Sequence, residues 1–431
     1  MRLSRVVPAI MAMIALAACR APGELADPTL ATLAAAPPPP PPEALPANRV
    51  LLKAATPEAA AQAVAESRGR VVETLPWLGV QVIELPEPAA EAMAHRLGRL
   101  PGVLYAEPDV VVRLTAPPSD KGPKKDRNEP TPEPTPEMIP CGEANDPNDP
   151  RYNGGGQWGL VQIAAERAWD AGHRSDAGVR IAILDTGIDR DHEDLKGVVL
   201  EKNFTRSRTT DDRFGHGTHV AGIAAGTTSN CLGVAGAAYH ASLINLKVLN
   251  DDGSGYHSWI AAGLHEAAER GVEIVNMSLG SPVGSQTLES AVAEAHAAGV
   301  LLLAAAGNSG GAEPDYPARY AEVVAVAATD PSDRRASFSN QGAELAAPGV
   351  DILSTLPNHD NRIGLKDYGS LNGTSMATPF VAGAAAVLWQ LEAAGGDGVA
   401  ERVRSRLAAS GTGGAATGSR FGRIDLGAAV N

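Results

Sequence analysis

Three residues that can carry nucleophilic chemistry stand where polar segments meet long apolar ones. Asp185 ends the apolar run VRIAILD, His216 lies between glycines in RFGHGTHVAG, and Ser375 lies at the start of GTSMATPFVAGAAA. A hydroxyl, an imidazole that takes its proton and a carboxylate that holds the imidazole form a relay that activates the hydroxyl. Each residue alone also fits a structural role, as a helix cap or a loop histidine. Their shared position at element junctions favours the catalytic interpretation.

A fourth residue, Asn308, follows the apolar segment LLLAAAG. A serine that attacks a carbonyl carbon creates negative charge on the carbonyl oxygen, and this charge needs preorganised hydrogen-bond donors. The Asn308 side-chain amide and the backbone N–H of Ser375 at a helix start can provide two such donors. The four residues together predict acyl transfer through a serine nucleophile.

The elements that hold these residues are predicted to form an α/β domain over residues 145–431. Five near-continuous apolar runs indicate buried parallel strands: VRIAILD, SLINLKVL, VEIVNMSL, VLLLAAAG and EVVAVAA. Amphipathic stretches such as HSWIAAGLHEAAERG and QTLESAVAEAHAAG lie between them and predict helices. This alternation predicts a doubly wound, mostly parallel sheet, in which reactive groups belong at the carboxyl ends of strands.

A smaller unit precedes this domain at residues 48–114. Its strand patterns are NRVLLKA, RVVET, WLGVQVIEL and GVLYAEPDVVV, and its helix patterns are PEAAAQAVAES and PEPAAEAMAHRL. The order βαββαβ predicts a ferredoxin-like α+β domain. The unit contains no catalytic constellation of its own.

The first residues predict export. Arg2 and Arg5 precede a short apolar stretch that ends in Leu-Ala-Ala before Cys19, so residues 1–18 resemble a bacterial lipoprotein signal with Cys19 as the lipidated residue. Plain secretion is the alternative. An Ala/Pro-rich tether follows at 19–47, and a Pro-rich, charged linker is predicted at 115–144.

The charge of the chain bears on its partners. The 431 residues carry a formal net charge of −14, which argues against a nucleic-acid partner because such a partner requires a clustered basic surface. We therefore expect no nucleic acid among the ligands. Apolar residues make up 44% of the chain, which is enough for a sizeable core.

The motifs ILDTGID, GHGTHVAG, AAAGN and GTSMATP together resemble those of the subtilisin-like serine proteases, and their order Asp, His, Ser is that of subtilisin. The resemblance covers residues 149 to about 427. It implies a triad of Asp185, His216 and Ser375 with Asn308 as oxyanion donor, and hence a serine endopeptidase that acts through an acyl-enzyme. One departure is Phe380, where many members have histidine, and we expect it to affect packing rather than chemistry.

The resemblance also implies where a peptide substrate binds. Two segments would pair with its extended backbone: Gly253, Ser254 and Gly255, and Ser278, Leu279 and Gly280. A pocket would bind the side chain of the substrate residue directly before the cut bond. Its walls would run from Ala305 to Gly307, with Asp315 at its floor. A carboxylate there predicts a preference for Lys or Arg, whereas Asp315 turned to solvent would leave an unselective apolar pocket.

Residues 48–114 resemble the family's propeptide, a foldase and inhibitor whose end lies in the cleft. This implies a self-processing zymogen, with a membrane-bound precursor at Cys19 and a released extracellular or periplasmic enzyme. Two alternatives remain. A different serine hydrolase is disfavoured because GTSMA is not the GxSxG elbow, and a catalytically inactive surface-binding lipoprotein would not need every reactive position filled.

A calcium site is suggested by three segments rich in oxygen ligands, because Ca²⁺ takes six or more oxygens. The resemblance to the thermitase-like branch implies side-chain ligands from Asp149, Asp194 and Asn230 and carbonyl ligands from Thr227, Leu232 and Val234. Solvated Asn- and Asp-rich turns are the alternative. The proposed calcium site would also bring the neighbourhoods of Cys141 and Cys231 together. Because export permits disulfides, we expect a bridge between them, with two free thiols as the alternative.

Overall fold

The computed structural model describes residues 48–114 and 147–431. The predicted signal peptide at 1–18, the tether at 19–47 with Cys19, and the linker at 115–144 with Cys141 lie outside the described residues. No helix within the described ranges combines the length and apolar character needed to cross a membrane.

The N-terminal domain has the predicted ferredoxin-like order. Its elements are β1 (Arg49–Ala54), α1 (Pro57–Ser67), β2 (Arg70–Leu75), β3 (Val80–Glu84), α2 (Ala90–Leu97) and β4 (Val103–Pro108). The strands form an antiparallel sheet in the order β2-β3-β1-β4. Val50, Leu52, Ile83 and Leu97 belong to its small core, whereas Leu51 lies in a core cluster shared with the second domain.

The end of this domain departs from the expected single strand over GVLYAEPDVVV. Strand β4 stops at Pro108, and a separate strand β5 (Val111–Arg113) leaves the sheet to pair antiparallel with β9 (Ser254–Tyr256) of the second domain. Asp109 lies at the break. Its carboxylate accepts hydrogen bonds from the Ser258 N–H (3.0 Å) and Oγ (2.8 Å), which directs the chain away from its own sheet.

The second domain contains the predicted parallel sheet, in the order β13-β12-β11-β10-β6-β8-β7. All its pairings are parallel, which confirms the doubly wound α/β prediction. Two strands, β14 (Ile352–Leu356) and β15 (Asp367–Leu371), form a separate hairpin. The sheet strands are β6 (Arg180–Asp185), β7 (Val198–Asn203), β8 (Ser242–Lys247), β10 (Ile274–Met277), β11 (Leu301–Ala305), β12 (Val323–Thr329) and β13 (Leu345–Pro348).

Helices cover both faces of this sheet. The sheet therefore lies between two clusters of core residues. The helix α9 is buried along most of its length and packs closely through small residues: a methyl group on Gly383 would lie 2.5 Å from Ala237 Cβ. The helices of this domain are α3 (Pro150–Asn153), α4 (Trp158–Gln162), α5 (Ala165–Asp170), α6 (His216–Ala225), α7 (His257–Glu269), α8 (Gln286–Ala297), α9 (Thr374–Glu392), α10 (Val399–Ala409) and α11 (Leu426–Ala429).

Two carboxylates of the N-terminal domain cap helices of the second domain. Glu107 accepts hydrogen bonds from the N–H groups of Gln286 and Thr287 at the start of α8, both 2.8 Å long. Asp109 does the same for Ser258 at the start of α7. Because the first amides of a helix have no intrahelical acceptor and carry partial positive charge, both contacts stabilise the docked state. They hold the N-terminal domain so that β5 reaches the predicted catalytic edge.

Candidate active site

The predicted carboxylate and imidazole meet at the carboxyl end of β6. Asp185 is the last residue of this strand and His216 is the first residue of α6. The Nδ1 atom of His216 lies 2.8 Å from Asp185 Oδ1 and 3.0 Å from Oδ2. Both residues are buried, so the contact is shielded from water and its geometry is fixed.

A second buried carboxylate, Asp212, binds the turn that leads into His216. It accepts five hydrogen bonds, from the Thr186 and Thr218 hydroxyls and from the N–H groups of Phe214, Gly215 and Thr218. These bonds fix the turn that starts α6. Burial alone lowers the pKa of His216, but the Asp185 carboxylate and, more weakly, Asp212 outweigh it and raise the pKa above its ordinary value.

Ser375 is the second residue of α9, and the helix is capped by Gly373 without any side-chain hydrogen bond. The helix-cap interpretation of this serine is therefore wrong. Its Oγ donates to the Ser278 carbonyl at 3.1 Å, and its side chain lines the same 350 Å³ cavity as His216. Ser375 is 8% exposed, with Leu114 at the edge of that cavity.

Two donors converge beside Ser375. The Oδ1 atom of Asn308 accepts hydrogen bonds from the Thr374 N–H and hydroxyl, each 2.9 Å long, which leaves the Nδ2 group to face the other way. A methyl group placed on Gly373 would lie 3.6 Å from Asn308 Nδ2 and 3.5 Å from the Ser375 nitrogen. The two nitrogen atoms therefore lie close to one another at the start of α9.

The predicted substrate-binding segments lie around β5. Strand β5 pairs with β9, and the Leu114 N–H donates to the Gly253 carbonyl at 2.9 Å, so the segment Gly253–Gly255 holds the extended end of the N-terminal domain. The second segment, Ser278–Gly280, lines a small cavity together with Leu114, but within the described ranges it makes no backbone hydrogen bond to β5.

Asp315 faces that small cavity, which it lines together with Ala305, Gly307 and Ser375. A methyl group on Gly280 would lie 3.1 Å from Asp315 Cβ, and one on Gly307 would overlap its Oδ2 atom. The carboxylate is half-buried and has no hydrogen-bond partner among the described residues. Burial raises its pKa, and the nearby Arg319 partly counteracts this effect.

Comparison with known proteins decides the family. Residues 176–422 match the subtilase family, and residues 48–109 match the fervidolysin N-terminal prodomain. The chain belongs to the subtilase family. It is 44% identical to thermitase from Thermoactinomyces vulgaris over 246 residues, which are 56% of this chain and 85% of that protein. It is 48% identical to subtilisin BL from Lederbergia lenta over 235 residues, which are 54% and 84% of the two chains.

This subtilase is a serine endopeptidase with an N-terminal prodomain. The prediction of enzyme class, drawn from four short motifs, is confirmed. The residues that sequence reasoning missed are those that support the site. Asp212 stands four residues before His216 in DDRFGH, and an acidic residue just before a glycine-flanked helix start is a capping signal that could have identified it.

The predicted calcium ligands of the subtilase come together around the loop 226–234. Asp149 accepts from the Ser229 N–H at 2.9 Å, and Asp194 accepts from the Val234 N–H and from Asn230 Nδ2. Burial raises the pKa of Asp149 to about 6 and that of Asp194 to about 7, and neither carboxylate has a cationic partner among the described residues.

The carbonyl oxygens expected to complete this site are unused. Those of Thr227, Leu232 and Val234 accept no hydrogen bond from any described residue, although Val234 is fully buried. A buried carbonyl without a partner, such as that of Val234, is rare, and backbone carbonyls are ligands that Ca²⁺ accepts. The residues present therefore fit a calcium ion, which would also neutralise the two carboxylates.

Two further expectations concern single residues. Cys231 is disulfide-bonded, and Cys141, its predicted partner, lies outside the described residues.

Phe380 is buried in the core of the subtilase domain, where its ring packs on Gly159: a methyl group there would lie 2.6 Å from Phe380 Cζ. Its contacts are packing contacts.

Proposed function

We propose that the chain cuts peptide bonds with Ser375 as nucleophile, His216 as general base and Asp185 as the group that orients the imidazole. The hydroxyl oxygen attacks the carbonyl carbon while its proton passes to Nε2 of His216. The carbon–nitrogen bond then breaks, and His216 gives this proton to the leaving amine. Water attacks the acyl-enzyme by the same route and restores the serine.

The negative charge of each tetrahedral intermediate would rest between Asn308 Nδ2 and the backbone N–H of Ser375. Their convergence beside Gly373 supports this assignment. Both donors are fixed in advance, since the Asn308 amide is held by Thr374 and the Ser375 N–H belongs to a helix start. Preorganised donors need no rearrangement at the moment of reaction.

The observation that carries the proposal is the buried contact between His216 Nδ1 and both oxygens of Asp185, in the cavity that Ser375 lines. We expect Ser375→Ala and His216→Ala each to abolish peptide hydrolysis, and the double variant to lose little more, because the relay works as a unit. Ser290→Ala, in α8 and outside the cavity that Ser375 lines, is the control. Hydrolysis retained by a folded Ser375→Ala enzyme would favour a non-catalytic role for this site.

We further propose that the protein is made as a self-processing zymogen. The pairing of β5 with β9 supports this, because it places the end of the prodomain along the path that a substrate would take toward Ser375. Cleavage in the linker at 115–144 would separate the two domains. The precursor would be exported and anchored through a lipid on Cys19, and the processed enzyme would be released.

We also propose two finer properties of the mature enzyme. A calcium ion bound by Asp149, Asp194 and Asn230 with the carbonyls of Thr227, Leu232 and Val234 would stabilise the fold, once the Asn230 amide turns its oxygen inward. Asp315 would bind a Lys or Arg side chain before the cut bond. Its unpaired, half-buried carboxylate supports this selectivity.

A further inference from the structure

A lysine is fully buried behind the candidate active site. Lys247 is the last residue of β8 and lies in register with Asp185, the last residue of the neighbouring strand β6. Its side chain has no exposed surface, although lysine is rarely buried completely. It lines neither of the two cavities beside Ser375, so it does not contact a substrate bound there. Any effect of Lys247 on the reaction therefore passes through other residues.

The ammonium group of Lys247 binds two separate segments of the chain. Its Nζ atom donates hydrogen bonds to the carbonyl of Thr186 and, at 3.3 Å, to the carbonyl of Asp211. Thr186 directly follows Asp185, and Asp211 precedes His216 in the segment that leads into α6. One side chain thus joins the turn after the carboxylate of the relay to the segment before its imidazole.

The same two segments pack against each other without intervening side chains. A methyl group on Gly187 would overlap the Thr210 carbonyl oxygen, and one on Gly217 would overlap the Gly187 carbonyl oxygen. The Thr186 hydroxyl donates to Asp212 at 2.8 Å and accepts from the Gly217 N–H at 3.0 Å. Backbone carbonyls that are buried in such a contact need donors that reach between the segments. The Lys247 ammonium group provides them.

Lys247 also adds a positive charge to a region that holds two buried carboxylates, Asp185 and Asp212. Burial raises the pKa of Asp212, whereas its hydrogen bonds and the charge of Lys247 counteract this effect. The ion-pair partner of Lys247 is Asp251, at 3.0 Å, but this side chain is 42% exposed and water screens the pair. The ammonium group therefore favours the ionised form of Asp212, which accepts the hydrogen bonds that fix the turn before His216.

We propose that Lys247 is a positioning residue of the relay: by joining the turn after Asp185 to the segment before His216, it holds the carboxylate and the imidazole in contact. The proposal rests on the proposed function. Removal of Lys247 should lower the rate of the chemical step more than it weakens substrate binding. The geometry of such a step is demanding, because a displacement of about 1 Å can lower a rate about 100-fold.

Replacement of Lys247 by Met tests this, because it removes the charge and the donors but keeps an unbranched side chain. We expect Lys247→Met to lower kcat for a peptide substrate about 10–100-fold and to change KM less than about twofold. Lys247→Arg keeps the charge and the donors, so it should restore part of kcat. Lys202→Met is the matched control, since Lys202 lies on the adjacent strand β7 and pairs with Glu266 instead.

A second measurement needs no turnover. The proton between His216 Nδ1 and Asp185 gives a low-field resonance in proton NMR, which is recorded on the full chain carrying Ser375→Ala. We expect this resonance to shift or broaden when Lys247→Met is added and to keep its position when Lys202→Met is added. A lysine that only stabilised the fold would change the melting temperature and leave this resonance in place.

A folded Lys247→Met enzyme with the kcat of Lys202→Met overturns the inference, and so does a lower kcat with an unchanged resonance. If Lys247→Met does not fold, Lys247→Gln takes its place with the same expected results. Failure of both variants to fold would show that Lys247 acts on the whole fold, which also overturns the inference. A folded wild type that hydrolyses no peptide would instead refute the proposed function, whereas the resonance would still report whether Lys247 holds the pair.

Discussion

Replacement of Asp315 by Asn tests the origin of selectivity before the cut bond. The change keeps the shape of the side chain and removes its charge. In the structure the carboxylate lines the small cavity beside Ser375 and is half-buried, and no described residue donates a hydrogen bond to it. A Lys or Arg side chain of a substrate would be its first direct partner.

The size of the effect follows from two opposing contributions. A hydrogen bond to a charged group contributes about 1.5–3 kcal/mol net. Arg319 already offsets part of the Asp315 charge, and desolvation of the substrate cation reduces the gain further, so we expect the lower end. About 1.4 kcal/mol corresponds to a tenfold change. Asp315→Asn should therefore lower the Arg-to-Leu ratio of kcat/KM about tenfold, mainly through the Arg substrate.

The assay compares two peptides that differ only before the cut bond, in wild type and in Asp315→Asn, as a function of pH. Burial raises the pKa of Asp315, so its charge is present above that pKa and is lost as the pH falls through it. Arg selectivity of the wild type should decline in the same direction, and that of Asp315→Asn should not. Both substrates need the same His216, so its titration cancels in the ratio. An Arg-to-Leu ratio that is equal in the two enzymes and independent of pH would show that Asp315 does not set this selectivity.

Three further predictions address the oxyanion donor, calcium and processing. Asn308→Ala should fold and lower kcat about 10²–10³-fold, the magnitude known for such a donor in a subtilisin, whereas unchanged turnover would contradict the assignment. Chelation should lower the melting temperature of the wild type but not that of Asp194→Asn, and equal curves for both proteins would argue against the metal site. The Ser375→Ala precursor should remain uncut and membrane-associated while the wild type releases its catalytic domain; stable full-length wild type in membranes would exclude self-release.

The residues of the candidate site could be proposed from sequence because each stands in a local motif next to a strongly apolar element. Asp185 ends a strand, whereas His216 and Ser375 lie at the starts of helices. The five central and inner strands were recognisable for the same reason. The two strands of this sheet that were missed, β7 and β13, are its edges. Strand β7 is half-exposed and reads as mixed polar and apolar, and β13 has four residues and ends in Pro348.

What sequence could not predict depends on contacts between distant segments. The break between β4 and β5 follows from the bonds of Asp109 to Ser258, which is 149 residues away. The anchoring of the loop 357–366, which joins β14 to β15, depends on Asp189, Arg213 and Phe214, all far earlier in the chain. Neither contact leaves a local pattern, since such pairs are set by how the domains and loops pack.

Covalent labelling shows whether Ser375 is the activated nucleophile. The mature enzyme is treated with a fluorophosphonate, digested and analysed by mass spectrometry, alongside folded His216→Ala and Ser290→Ala variants. We expect one adduct per molecule, located on Ser375, which forms at similar rates in wild type and Ser290→Ala and much more slowly in His216→Ala. An adduct on another residue, or labelling of Ser375 that does not depend on His216, would contradict this expectation.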